Sequence, residues 1–294
     1  MILTPKQFYL KNHLDLNINV LEGRDVNSIV GVILNVHGVG SHFQKVYDSL
    51  DEFDRRDELF SKFNYKSFAF EFHGHGKSEG KRCYINNFDD LLEDLDSVIK
   101  YIEKRFSQPI YLFCESMGCA VAFKYCIVKK NNVRGVIFTA PLCGISSKLK
   151  PNIIIRQLLL KLSNIFPTLP LVTTTRNMGA QSTLNQEYID AKKNNEFFYK
   201  KSHRLATCRE LVSISEWIET NCHLFNKPIL MFHGKEDNIT EYSNTVRVFD
   251  TIKSTKKELH LLEKGYHVLL IDNKKDSFLP EYIMIKSIKW INKN

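Results

Sequence analysis

Residues 29–36 read Ile-Val-Gly-Val-Ile-Leu-Asn-Val, a run with almost no polar position. A strand with one solvated face alternates apolar and polar side chains, whereas a nearly continuous apolar run belongs to a strand covered on both faces. Strands of that kind form parallel sheets sandwiched between helices. The rest of the chain repeats the condition. Strand-like runs at 65–72, 110–113, 133–140, 228–232 and 258–262 alternate with helical patterns at 47–63, 88–106, 244–252 and 280–291. Residues 8–10 and 14–20 read as opening strands before the turn Glu22-Gly23-Arg24-Asp25. This order predicts an α/β fold: a mostly parallel, doubly wound sheet with helices on both faces, in a single domain over residues 1–294.

The alternation breaks once, over residues 144–226. Its most apolar stretch, 153–162, carries Arg156 and Lys161 among isoleucines and leucines, and Ile165, Phe166 and Leu169 extend it. That stretch is too short and too charged to span a bilayer. An insertion at one edge of such a sheet predicts a helical cap over a site. Burial accounts for most of its apolar residues, and transient membrane-surface contact through the cap is the further expectation.

At 43% hydrophobic and 25% charged residues, the composition is that of an ordinary globular protein. The seven cysteines are odd in number and lack metal-ligand spacing, which predicts free thiols in a reducing compartment. The amino terminus has no basic segment followed by an apolar run, so no signal peptide is expected. A cytoplasmic protein, peripheral to membranes at most, follows. The net charge of +8 comes from lysines spread along the chain, without a basic block interleaved with aromatics. It reads as a solvated surface, and no nucleic-acid partner is expected.

Between the strand at 110–113 and a helix beginning near Cys119 lies Cys114-Glu115-Ser116-Met117-Gly118. A small residue, then x-Ser-x-Gly, between a strand and a helix is the spacing of a nucleophile elbow, a sharp turn that lifts the serine oxygen above a sheet. Serine is a weak nucleophile until a fold presents it and a base activates it. The partners must arrive from loops at the carboxyl ends of strands, in the chain order Ser, acid, His. Asp237, at the end of His233-Gly234-Lys235-Glu236-Asp237, and His267, in Gly265-Tyr266-His267, satisfy that order. Glu236 is the rival acid; His233 would break the order, and His260 lies within a strand. Charge developing on an attacked carbonyl needs backbone N–H donors. Met117, at a helix amino end, and Val39, in His37-Gly38-Val39-Gly40, are the candidates.

Gly74-His75-Gly76-Lys77-Ser78 invites a phosphate-loop reading, but that motif needs glycine where Glu71 stands. His73 and His75 have no companions at metal-ligand spacing, so a structural loop is expected, with no metal or cofactor.

Taken in order, Val36-His37-Gly38-Val39-Gly40, residues 72–80, the elbow, residues 233–237 and Gly265-Tyr266-His267 resemble the monoglyceride lipase and lysophospholipase branch of the α/β-hydrolases, a branch of serine aminopeptidase S33 type. The Gly-His-Gly-x-Ser-Glu-Gly segment is its most specific part. The resemblance implies Ser116, Asp237 and His267 as a catalytic triad, with Val39 and Met117 as oxyanion donors. It also implies a small-molecule ester or lipid substrate with one fatty acyl chain, a monoacylglycerol or lysophospholipid, reached through a mobile apolar cap. Cys114 and Cys119 stand where the family usually has glycine, and a thiol is small enough for the turn to survive. The cap is weakly similar, so acyl and head-group preference do not carry over. A peptidase or thioesterase with the same triad, or a binding protein on a hydrolase scaffold, are the alternative readings.

Overall fold

Eight strands form one sheet in the computed structural model, which describes residues 5–44, 52–144, 152–170, 182–271 and 278–294. They are β1 (Lys6–Lys11), β2 (Asn17–Glu22), β3 (Gly31–Val36), β4 (Tyr65–Phe70), β5 (Ile110–Glu115), β6 (Val133–Thr139), β7 (Ile229–Gly234) and β8 (Lys257–Leu262). Their spatial order is β1-β2-β4-β3-β5-β6-β7-β8. The β1–β2 and β2–β4 pairs are antiparallel, and every pair from β4 to β8 is parallel. The helices described are α1 (Glu52–Lys62), α2 (Asp89–Arg105), α3 (Met117–Val128), α4 (Ile153–Ile165), α5 (Gln186–Asn194), α6 (Leu205–Asn221), α7 (Tyr242–Thr251) and α8 (Leu279–Ile291). This is the mostly parallel, doubly wound α/β sheet that the apolar runs predict.

The period of two along each central strand divides the core. Val32, Leu34 and Val36 of β3 join Ile110, Leu112 and Cys114 of β5 on the face covered by α2, α3 and α6. Ile33, Tyr111 and Phe113 point the other way, toward Phe60 of α1 and Ile283, Ile288 and Trp290 of α8. A strand clothed on both sides admits a polar side chain only where a partner meets it, as the Asn35 amide does by donating to the Phe68 carbonyl at 2.9 Å, which is why these strands read as nearly unbroken apolar runs.

Element ends shift by local causes. β4 stops at Phe70, two residues before the predicted end, because its parallel neighbour β3 ends opposite it at Val36. β7 runs on through His233 and Gly234, which pair with Leu261 and Leu262 of β8. β2 starts only at Asn17, since a turn occupies residues 12–16. There the Asn12 side-chain oxygen accepts from the Leu14 and Leu16 N–H groups, both at 3.0 Å. The beginning of the helix predicted at 47–63 lies outside the described residues.

Between β6 and β7 the chain inserts α4, α5 and α6; residues 145–151 and 171–181 of this insertion lie outside the described residues. Adjacent parallel strands need a crossover, and α6 supplies it. It packs against α3 and α4, and its Ile214 and Ile218 enter the core.

The loops after β3 and β4 are joined by one buried carboxylate. Glu71 is fully buried and accepts four hydrogen bonds: from the Phe43 N–H and the Gln44 amide, both at 3.0 Å, from the Asn19 amide at 2.9 Å, and from the Lys77 N–H at 2.6 Å. Next to it His73 Nδ1 lies 2.7 Å from Asp94, also buried. Burial alone would lower the His73 pKa, but the hydrogen bond and charge of Asp94 outweigh it and hold the imidazole above its ordinary value.

Two outcomes follow from these buried groups. Glu71→Gln turns an amide toward converging donors and is expected to lower unfolding free energy by about 3 kcal/mol, read from the urea midpoint at unchanged m-value. For His73 the folded pKa is the raised one, so its stabilisation is complete below the unfolded pKa and is lost as pH rises through the folded value. The stability gap between the protein and His73→Gln is therefore expected to shrink as the pH is raised above the ordinary histidine value of 6.5, measured by urea unfolding at each pH.

Candidate active site

The turn from β5 into α3 is made by a single residue. Ser116 has φ 51° and ψ −116°, a left-handed backbone that costs a non-glycine residue on the order of 1–3 kcal/mol. Neighbouring strands hold it there. Its N–H donates to the Thr139 carbonyl at 3.1 Å, and its own carbonyl accepts from the N–H groups of Cys119 and Leu142, each at 3.1 Å. Gly118 lets α3 approach β3 closely: a Cβ there would lie 2.6 Å from the carbonyl oxygens of both Val36 and His37. Cys114 and Cys119 behave as small core residues beneath the turn. Both are buried, and burial pushes both thiols well above the ordinary range. Behind the elbow, Arg56 is buried, donates to the Glu115 carboxylate, and has its guanidinium 5.4 Å from the centre of the Phe113 ring.

Three side chains from different strand ends meet above the sheet. Ser116 Oγ lies 3.0 Å from His267 Nε2, and His267 Nδ1 lies 2.7 Å from Asp237 Oδ2. Asp237 is buried and richly solvated by protein groups. It accepts from the Ile239 and Thr240 N–H groups at 2.8 and 3.0 Å and from the Thr240 hydroxyl at 2.8 Å. His233 Nε2 sits 3.2 Å from the same oxygen that faces His267. Burial pushes the Asp237 pKa up, but the charge of His267 and hydrogen bonds from His233 and His267 outweigh it and hold the carboxyl well below the usual range. The rivals are placed elsewhere. Glu236 is exposed, with its N–H on the Gly265 carbonyl at 3.0 Å. His260 stacks on Phe232 at the sheet edge and bonds Glu258 and Tyr282.

The loop after β3 lies against the serine: a Cβ on Gly38 would be 3.0 Å from Ser116 Cβ. His37 sets its orientation. The ring accepts the Phe72 N–H at Nε2 (3.1 Å), so Nδ1 carries the proton and donates to the Gly38 carbonyl at 2.7 Å. Burial holds this imidazole down to about 3, hence neutral. In a trans peptide the C=O and N–H point in opposite directions, so fixing the Gly38 carbonyl turns the Val39 N–H away from His37. Among the described residues neither the Val39 nor the Met117 N–H has a hydrogen-bond partner.

Sequence reasoning named Ser116, Asp237, His267, Val39 and Met117, and the first three form one hydrogen-bonded chain. It missed the shared use of Asp237 by His233 and Thr240, although His233 and Asp237 stand four residues apart across a tight strand end. It also missed Arg56 and Glu71, whose partners are remote in sequence. His73 and His75 serve structural contacts: His73 Nδ1 pairs with Asp94 of α2, and His75 Nδ1 donates to the His73 carbonyl at 3.1 Å. No group of three or more His, Cys, Asp or Glu side chains suited to a metal occurs among the described residues.

The sequence matches known proteins along most of its length. The Arabidopsis thaliana protein named caffeoylshikimate esterase is 26% identical over 253 residues, covering 82% of this chain and 72% of that one. The Rattus norvegicus monoglyceride lipase is 24% identical over 234 residues, covering 79% and 74%. A crystal structure of a soluble variant of Saccharomyces cerevisiae monoglyceride lipase with a substrate analogue superposes with a TM-score of 0.79 at 18% identity, over 99% of this chain and 95% of that one. The profile of the family described as serine aminopeptidase, S33, matches residues 27–274. The chain is therefore a member of that family, within the α/β-hydrolases.

Proposed function

We propose that this protein hydrolyses carboxylic esters through an acyl-enzyme on Ser116, with a monoacylglycerol or a lysophospholipid as substrate. Ester hydrolysis is the activity named for lipase and esterase relatives across the family. The observation that carries the mechanism is the hydrogen-bonded chain from Ser116 Oγ through His267 to Asp237. His267 Nε2 takes the Ser116 proton as Oγ bonds to the acyl carbon. The carbonyl oxygen gains negative charge, and the N–H groups of Val39 and Met117, which have no partner among the described residues, are available to receive it. The C–O bond to the alcohol then breaks, and His267 returns its proton to the leaving oxygen. Water, deprotonated by the same imidazole, attacks the acyl-enzyme and frees the fatty acid. Asp237, held ionised, fixes the His267 tautomer and stabilises the imidazolium.

In this reading residues 144–226 act as the cap, tied to the sheet through α6. On α4, Ile154 is 76% exposed and Leu158 56%, with Ile165 and Phe166 further along also exposed. That outward apolar face supports transient contact with a lipid surface, and no helix among the described residues is long and apolar enough to cross a membrane. All seven cysteines are free, which supports a reducing, cytoplasmic location. The family description names an aminopeptidase, which makes peptide amides the competing substrate class.

A fluorophosphonate probe is expected to label the protein at one site and to leave Ser116→Ala unlabelled, with ester turnover down by at least ~10³-fold in that variant. Absence of labelling in the unmutated protein sinks the acyl-enzyme. Labelling with cleavage of peptide amino termini and none of lipid esters replaces the ester reading with the peptidase one. For the cap, Ile154→Ser with Leu158→Ser is expected to reduce co-sedimentation with phospholipid vesicles about tenfold. Undiminished co-sedimentation would remove α4 as the contact face.

A further inference from the structure

A cavity of about 420 Å³ lies beside the loop that carries Val39. Gly40 forms part of its wall and accepts a hydrogen bond from the Tyr199 N–H at 3.2 Å. Gly40 stands two residues beyond Gly38, which lies against Ser116, so this wall is within about 7 Å of that contact along the chain.

The charge around the cavity is one-sided. Arg82, Lys200, Lys201 and Arg204 line it, against the single carboxylate of Glu196. The two arginines are oriented by carbonyl groups: Arg82 donates to Gly76, and Arg204 donates to Arg82 at 3.2 Å and to Thr168 at 2.6 Å. Neutral carbonyls fix a guanidinium without cancelling its charge. Phe197 adds an apolar side, with the Arg82 guanidinium 5.9 Å from its ring centre. The buried His75 completes the wall.

From these groups we infer that the cavity is a subsite for the alcohol half of the substrate, built for a negatively charged group such as a glycerol phosphate. The inference rests on the ester-hydrolase reading of Ser116 and narrows its substrate. Clustered cations in a walled cavity raise the local concentration of an anion. Arginine forks suit phosphate oxygens in particular. An uncharged glycerol meets none of these cations with an opposite charge, so the anionic ester is the better substrate.

The test compares a 1-acylglycerol 3-phosphate with the 1-acylglycerol of the same chain, in the protein and in a Lys200→Ala, Lys201→Ala double variant. The ratio of kcat/KM, phosphate ester over neutral ester, is expected to fall about tenfold in the variant and to fall in the unmutated protein as salt is raised. A ratio that the variant leaves unchanged overturns the inference. Calorimetric titration with glycerol 3-phosphate, glycerol and inorganic phosphate reads the subsite without turnover. Glycerol 3-phosphate is expected to bind more tightly than the other two, and less tightly to the variant. Inorganic phosphate binding as tightly, or glycerol 3-phosphate failing to bind, overturns the subsite even where both esters are cleaved. Binding of glycerol 3-phosphate with no cleavage of either ester supports the subsite and sinks the ester-hydrolase reading instead.

Discussion

Everything above the sheet depends on keeping one serine in a backbone conformation it does not favour. The left-handed Ser116 exists because three strand ends reach the same level: β3 delivers carbonyl oxygens against Gly118, β5 supplies the residue, and β6 offers Thr139 to the serine N–H. A strained residue persists only where its surroundings over-determine it. Here the over-determination comes from parallel pairing, which sets the carboxyl ends of β3, β5, β6 and β7 side by side. The loops leaving those ends converge without having to travel.

The electrostatics follow a division between groups that stay charged and groups that stay neutral. Asp237 is buried, yet it remains ionised because the charge of His267 and hydrogen bonds from His233 and His267 outweigh that burial. Glu71 collects four hydrogen bonds, and it serves to lock two loops together rather than to react. The neighbouring imidazoles do the opposite. Burial holds His37 and His42 each down to about 3, so neither adds positive charge to the strand ends, and His37 can serve as a fixed donor to Gly38.

How much of this was legible depended on whether the cause was local. The central strands declared themselves because a two-sided core admits few polar residues, and the chain order of Ser116, Asp237 and His267 put them on adjacent strand ends. Element ends were less legible because partners decide them: β4 stops where β3 stops, and β7 continues because β8 does. Within residues 144–226, apolar content alone gave no sign that α6 belongs to the sheet layers. Arg56 against Glu115, Glu71 against Phe43 and Gln44, and the cations at positions 82, 200, 201 and 204 unite distant segments. No spacing rule reaches that far.

The buried cysteines have a use beyond filling space. Six of the seven are buried, spread over the loop after β4, β5, α3, the loop after β6 and the residue after α6. A thiol reacts with an alkylating reagent only as a thiolate in contact with solvent, so each stays silent while its surroundings are closed. The rate at which each is modified then measures how often its own region opens. The chain thus carries intrinsic gauges of local breathing beneath its elbow, and Cys208, partly exposed on α6, is the least enclosed of the seven.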